Sequence, residues 1–343
     1  MRRLFRALLA LLGILLLAGT TGWAVLAIHL GDSGTSTLQN ILAGLFGLVG
    51  LATLVSIFNK GLRRPMVTVY TLAFAVVLAW WFSIEPSNDR EWVEETARLP
   101  RAVVDGDQVT VYNIRNFRYR SETDFDAVYY DKTFDLDKLD SVDFLATYWM
   151  GPAIAHVMIS FGFGGEDYLA FSIEARKEQG EGYSTVKGFF RQYEQIHIAG
   201  DERDLIGLRT NFRDDPPEDV YRYRLPARPE VVRRFFLDYV DAINRQNDKP
   251  QFYNTLLSNC TTVVWAHAHV NPDRLPFSWK VLASGYVPEY LYEHGRLDTS
   301  ISFAELTRLG HVNPLAQAVG SDVDDFSQRI RRATSASVES GTN

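Results

Sequence analysis

Charge is scarce in the first quarter of this chain of 343 residues, and cysteine is scarce throughout it. Residues 1–84 hold seven charged side chains: Arg2, Arg3, Arg6, Asp32, Lys60, Arg63 and Arg64. Six of the 35 basic residues and one of the 42 acidic ones fall there, so the front carries +5. The remaining 29 basic and 41 acidic residues give the rest of the chain −12. This split excludes a plain cytosolic enzyme and a polytopic transporter, and the acidic body argues against nucleic acid as partner. With one cysteine, Cys260, no disulfide can form within the chain. There is also no internal repeat, no Gly-rich phosphate loop, and no Cys or carboxylate set to complete a metal site, so neither metal nor cofactor is expected.

What fills the charge-poor front is apolar. Uncharged runs cover residues 7–31, 33–59 and 65–84, and each is long enough for a helix to cross a hydrocarbon core of about 30 Å. The third ends in Trp80, Trp81 and Phe82, rings that favour the headgroup level. Basic residues precede the first run and fill the loop before the third, whereas the loop at Asp32 has none. The positive-inside rule then keeps the N-terminus cytoplasmic and, after three crossings, places residues 85–343 on the far side. The expected topology is multi-pass, with the body outside the cytoplasm. Arg2 to Leu17 has the outline of a cleaved signal peptide, but its apolar run is too long for an h-region and two more runs follow.

An exported lone thiol is either a small buried hydrophobe or a reactive group. Cys260 stands in Ser258-Asn259-Cys260-Thr261-Thr262, just before an apolar run that ends at Asn271-Pro272. The pattern predicts a helix starting at or beside the cysteine, capped by Ser258, Asn259 or Thr261. A helix start stabilises a thiolate and an oxyanion, so Asn259 and Thr261 are candidate oxyanion supports.

A thiol nucleophile needs a base. His267 is seven residues from Cys260, about 10 Å along a helix and too far for direct contact. His267 and His269 point apart on a helix, and His197, His294 and His311 lie in polar, loop-like contexts. His156 is different: it lies on a predicted strand, 153–163, that runs into a Gly-rich turn and a second strand, 168–176. A hairpin folding about Gly164-Gly165 pairs positions that sum to about 330, setting His156 opposite Glu174. Glu174 is therefore the candidate for orienting the imidazole, with Ser172 on the same strand face as the alternative.

Histidine on a strand, a second strand, then Asn-Cys at a helix start is an order that resembles the circularly permuted papain-like, NlpC/P60-type thiol enzymes, which include lecithin–retinol acyltransferase. More closely, residues 107–300 resemble the periplasmic domain of Lnb-type lipoprotein N-acyltransferases. The matching stretches are Arg115-Asn116-Phe117-Arg118-Tyr119, Ala155-His156-Val157-Met158, Ser172-Ile173-Glu174-Ala175-Arg176-Lys177, Phe252-Tyr253-Asn254 and Ser258-Asn259-Cys260-Thr261-Thr262. The resemblance implies an α+β fold, three transmembrane helices followed by an antiparallel sheet packed on helices. It implies a cysteine acyltransferase that moves an acyl chain from a phospholipid through a Cys260 thioester to the α-amino group of a diacylglyceryl-cysteine lipoprotein. By that resemblance Cys260 would be nucleophile and His156 general base and acid, and the location would be the bacterial inner membrane, multi-pass, with residues 85–343 periplasmic. From the residues themselves, Arg176 and Tyr193 are candidate substrate-binding residues. The partners implied are the phospholipid donor, the lipoprotein acceptor and the bilayer. Alternatives on the same scaffold are a thiol hydrolase, acting on peptidoglycan or phospholipid, and a non-catalytic envelope protein.

The chain thus divides into an anchor at 1–84, a polar linker at 85–106, the thiol domain at 107–320 and a polar, flexible tail at 321–343. Pro229 to Asn247 reads as an amphipathic helix with its aromatics in the core. Arg115, Arg118, Arg120 and Arg176 read as headgroup-binding residues or as paired surface charge. Lys280 to His294 reads as a segment against the membrane or in the core.

Overall fold

The computed structural model describes residues 1–31, 36–320 and 322–331. Three helices open the chain: α1 (Arg2–Leu30), α2 (Thr37–Ser56) and α3 (Lys60–Ser83). All three are long and apolar enough to cross a membrane. Ser36 caps α2 and exchanges hydrogen bonds with Gln39, so the start of that helix is satisfied without its neighbours. The third helix begins five residues earlier than the apolar run, taking Lys60, Arg63 and Arg64 into its first turns. Leu12, Leu15, Leu45 and Leu72 stay exposed on the helix flanks, which suits lipid rather than water. Between the helices, Ala24, Ile28, Phe46 and Tyr70 form a small core, and the Tyr70 hydroxyl is 2.7 Å from Thr20 Oγ1. Asp32, in the first loop with no basic residue, lies outside the described residues.

Two distant segments, residues 181–194 and 252–255, belong to this membrane unit. Phe190 packs edge-on against Trp81 at 6.2 Å between ring centres. Arg191 Nη1 donates to the carbonyls of Trp81 at 2.7 Å and Ile84 at 3.0 Å, the open end of α3. A helix leaves its last carbonyls unbonded, and one guanidinium nitrogen of Arg191 answers that need here.

The second unit is built on a mixed sheet. Its strands are β1 (Arg101–Asp105), β2 (Gln108–Arg115), β5 (Tyr129–Asp135), β6 (Leu139–Tyr148), β7 (Ala155–Phe163), β8 (Asp167–Arg176), β9 (Glu194–Gly200) and β10 (Asp219–Arg224); β3 (Arg118–Tyr119) and β4 (Phe125–Asp126) form a separate ribbon. The order is β1-β2-β9-β8-β7-β6-β10, with β5 also on β2. The sheet is mixed rather than wholly antiparallel, because β2 meets β9 in parallel at Arg115↔Gly200. Strand β1 falls in the stretch read as linker.

Helices cover both faces of the sheet. On one side α5 (Pro229–Asp248) and α6 (Cys260–His267) press Phe235, Phe236, Tyr239 and Val264 onto Val157, Ile159, Phe161 and Phe171. On the other, α4 (Glu202–Asn211) and α10 (Asn313–Val319) bring Leu205, Ile206 and Ala316 onto Leu145, Met158 and Ala170. Alternation of side chains along β7 sends odd positions to the first core and Met158 to the second, so β7 is buried from end to end. The short helices α7 (Trp279–Leu282), α8 (Val287–Glu293) and α9 (Phe303–Gly310) complete the unit. Residues 322–331 are no tail: Phe326 and Ile330 are buried in the second core, and Arg331 joins Asp143 at 2.9 Å to Glu202 at 2.6 Å. The Ser/Thr-rich remainder from 332 lies outside the described residues.

Candidate functional site: a thiol, an imidazole and a shared carboxylate oxygen

Helix α6 starts at Cys260 because Asn259 stops the chain from being helical one residue earlier. Asn259 Oδ1 accepts from the amides of Thr261 and Thr262, both at 2.9 Å. Thr262 Oγ1 in turn accepts from the Asn259 N–H at 2.9 Å. This reciprocal cap makes Cys260 the first helical residue, and Asn259 is the one of the three expected caps that closes the box. It corrects one expectation. The Thr261 amide, expected to face an oxyanion, is committed to the cap, while its hydroxyl lies 3.7 Å from Cys260 Sγ.

Cys260 is half-buried. Burial by itself raises a thiol pKa, yet the His156 imidazole, the Val157 backbone N–H and the Thr261 hydroxyl together hold Cys260 below its ordinary value.

The β7–β8 hairpin has the register deduced from its turn. Met158 pairs with Ser172 and Phe161 with Leu169, sums of 330, and Gly164 and Gly165 take the positive φ values of 64° and 70° that the tight reversal requires. The paired ladder closes at Met158↔Ser172. Beyond it, on one face, the side chains of His156 and Glu174 meet with Nε2 3.1 Å from Oε1. Ser172 does not compete with Glu174; it joins it. Its Oγ donates to Glu174 Oε1 at 2.6 Å and is 2.7 Å from His156 Nε2.

This geometry fixes the tautomer. The Ser172 proton points to the carboxylate, so the hydroxyl can only accept from His156, and Nε2 carries hydrogen. The neutral ring then has its lone pair on Nδ1, the nitrogen left for the thiol. Burial lowers the pKa of His156, but the Glu174 charge and the neighbouring Cys260 outweigh it, raising it to about 9 against an opposing push from Arg209. Glu174 is held well below the usual carboxylate range: burial opposes this, while His156, Arg209 and Ser172 supply the favourable charges and hydrogen bonds.

Arg209 was not visible as a site residue in the sequence. It lies on α4, 6% exposed, and its Nη2 donates to Glu174 Oε1 at 3.0 Å. Its Nη1 reaches Glu218 Oε2 at 3.1 Å, and Glu218 also holds Arg213 at 2.5 Å. Alternating charges therefore run from the imidazole through Glu174, Arg209 and Glu218 to Arg213, and each buried charge has its partner.

Other expected residues have structural work. Arg176 is 2% exposed, donates to the carbonyls of Thr96 and Ala97, and lies over Trp92. The Tyr193 hydroxyl donates to the Gly182 carbonyl at 2.7 Å and accepts from the Ser184 amide. Arg115 is buried in a bidentate pair with Asp204, at 2.9 and 2.8 Å, while Arg120 pairs at the surface with Asp124 and Asp126.

His197, expected at the surface, is 5% exposed on β9. Its Nε2 lies 3.1 Å from His267 Nε2, and His267 Nδ1 lies 2.6 Å from Asp238 Oδ2. Gln246 Oε1 accepts from both the backbone N–H and Nδ1 of His197. Burial, then the neighbouring His267, pushes His197 down to about 3. This relay pins the far end of α6 to α5 and the sheet.

Three membrane-length helices and an α+β body with a half-buried thiol beside an oriented imidazole define a membrane protein with a cysteine–histidine site. Residues 125–285, just under half of the chain, match the family described as the Lnb N-terminal periplasmic domain. The matched span holds His156, Ser172, Glu174, Arg209 and Cys260 alike. No curated protein and no solved structure matches the chain.

Proposed function

We propose that the protein is a membrane-anchored lipoprotein N-acyltransferase of the inner membrane, with Cys260 as nucleophile and His156 as its general base and acid. The observation that carries the reading is the convergence on Glu174 Oε1 of Ser172, Arg209 and His156. It orients an imidazole whose pKa is raised to about 9 beside a thiol held below its ordinary value, so the proton of Cys260 passes readily to His156. The family match and the three apolar helices favour lipid substrates, since an anchored enzyme meets bilayer-resident donor and acceptor at high effective concentration.

The chemistry balances in two halves. His156 takes the Cys260 proton, and the thiolate attacks the ester carbonyl of a phospholipid. The carbon–oxygen bond to glycerol breaks, the leaving alkoxide takes the proton back from the imidazolium, and lysophospholipid departs from a Cys260 thioester. The α-amino group of a diacylglyceryl-cysteine then attacks, loses a proton to His156, and expels the thiolate as the amide forms. The Cys260 N–H, at the first helical position, has no partner within α6 and suits the oxyanion.

The test is intact-mass analysis of Cys260 after exposure to phospholipid vesicles. An acyl adduct that hydroxylamine removes, absent in Cys260→Ala, supports the reading, as does its transfer to a diacylglyceryl peptide. Release of free fatty acid in place of N-acyl peptide would make the protein a thiol hydrolase, and full complementation by Cys260→Ala a non-catalytic one.

A further inference from the structure

A cavity of about 180 Å³ lies against helix α6 and has no part in the chemistry above. Phe144 and Ile159 of the sheet, Phe235 of α5, Val264 of α6, Ala268 and Leu291 of α8 form its walls. Protein interiors are packed to crystal density, so an apolar void of this size is a feature rather than slack. Cavities of about 150 Å³ with aliphatic and aromatic walls stay dry and take up hydrocarbon.

Two observations tie the cavity to the thiol. Thr261 is part of its wall and also places its hydroxyl 3.7 Å from Cys260 Sγ. Cys260 and Val264 also stand four residues apart on one side of α6, and Ala268, the residue that caps the helix, follows four residues further on. Val264 and Ala268 line the cavity, and Cys260 stands ahead of them, packed against the same core. The span from Cys260 to Ala268 is about 12 Å along the axis. Asp273 and Arg274, both exposed, also line the cavity.

We propose that this cavity binds the hydrocarbon chain of the acyl group carried by Cys260, with the thioester carbonyl at Sγ and the methylenes along Val264 and Ala268. The inference rests on the acyl-transfer reading and extends it to substrate selection: the depth of the cavity, rather than the thiol, sets the acyl length accepted.

The test uses the full chain in phosphatidylethanolamine–phosphatidylglycerol vesicles doped with a phospholipid that bears a diazirine at the end of one acyl chain. After irradiation, labelled peptides are mapped by mass spectrometry, and thioester formation is followed across donors of graded chain length. Label is expected within residues 225–235 and 264–296. Ala268→Phe, which fills the cavity, should lose that label and shift thioester formation toward shorter chains. Val231→Phe provides the same readout should Ala268→Phe fail to fold.

Thioester formation with the cavity unlabelled, and a chain-length profile unchanged by either variant, overturns the proposal and leaves acyl transfer standing. Cavity label that the variants abolish, without any thioester at Cys260, keeps the hydrocarbon site and removes the acyl-transfer reading.

Discussion

His156 and Arg209 share one oxygen atom: Nε2 of the first lies 3.1 Å, and Nη2 of the second 3.0 Å, from Oε1 of Glu174. Two cationic groups facing one carboxylate oxygen keep Glu174 ionised and its position fixed. The imidazole is therefore oriented by a partner that is itself held by a buried guanidinium from a separate helix. The behaviour of Cys260 should follow from that arrangement.

Replacing His156 by Asn removes the largest influence that depresses the Cys260 pKa. The midpoint of the alkylation rate against pH, measured with iodoacetamide, should move to higher pH. His267→Gln should leave it in place, because His267 bonds to Asp238 and His197 and not to the thiol. A shift in His267→Gln as large as that in His156→Asn would assign the base to His267.

Arg209→Met leaves Glu174 and Glu218 buried without their shared cation, a loss of about 3–5 kcal/mol by the usual cost of breaking a buried pair. A lowered thermal midpoint in detergent should accompany slower alkylation of Cys260. Arg209→Lys should recover part of both, since a lysine supplies the charge but not the fork. Wild-type stability in Arg209→Met would show that the charge line is dispensable.

The alkaline limit of stability should depend on the His156–Glu174 pair. The folded imidazole has a pKa of about 9 against an ordinary 6.5, so its contribution is fully present below pH 6.5 and fades as pH rises through about 9. The shift corresponds to about 3 kcal/mol. Thermal midpoints between pH 6 and 10 should fall in the wild type and stay flatter in Glu174→Gln, where the counter-charge is gone. Parallel curves would dismiss the linkage.

The acid limit has a different origin. His197 is held down to about 3, first by burial and then by His267, so its contribution is complete above pH 6.5 and declines as pH falls toward 3. Between pH 6.5 and 5 the loss is about 2 kcal/mol. His197→Gln should flatten that limb of the midpoint-against-pH curve, and an unchanged slope would place the acid sensitivity elsewhere.

The sequence exposed those parts of the site that depend on local chemistry. Turn glycines set the β7–β8 register, so Glu174 could be placed opposite His156 from residue numbers alone. The Asn259 cap and the α5 stripe were legible for the same reason: capping and periodicity act within a few residues. Arg209 was hidden because nothing near it in the chain marks the carboxylate it serves, and α4 is as polar as a surface helix. His197 misled because its polar neighbours Glu194 and Gln195 are buried along with it. The partners of Arg176 were hidden for a similar reason, since its three guanidinium nitrogens bond to Thr96, Ala97 and Asn88, about 80 residues away in the chain.

The seat of Arg191 and Phe190 on the end of α3 bears on any attempt to separate body from anchor. The chain passes between its two units five times, at residues 87–88, 180–181, 194–195, 251–252 and 255–256. The last passage lies five residues before Cys260. A soluble version begun after the third helix would leave residues 181–194 and 252–255 without Trp81 and Ile84, baring Phe190. The membrane-length helices are thus a packing partner of these two inserted segments and not merely an anchor.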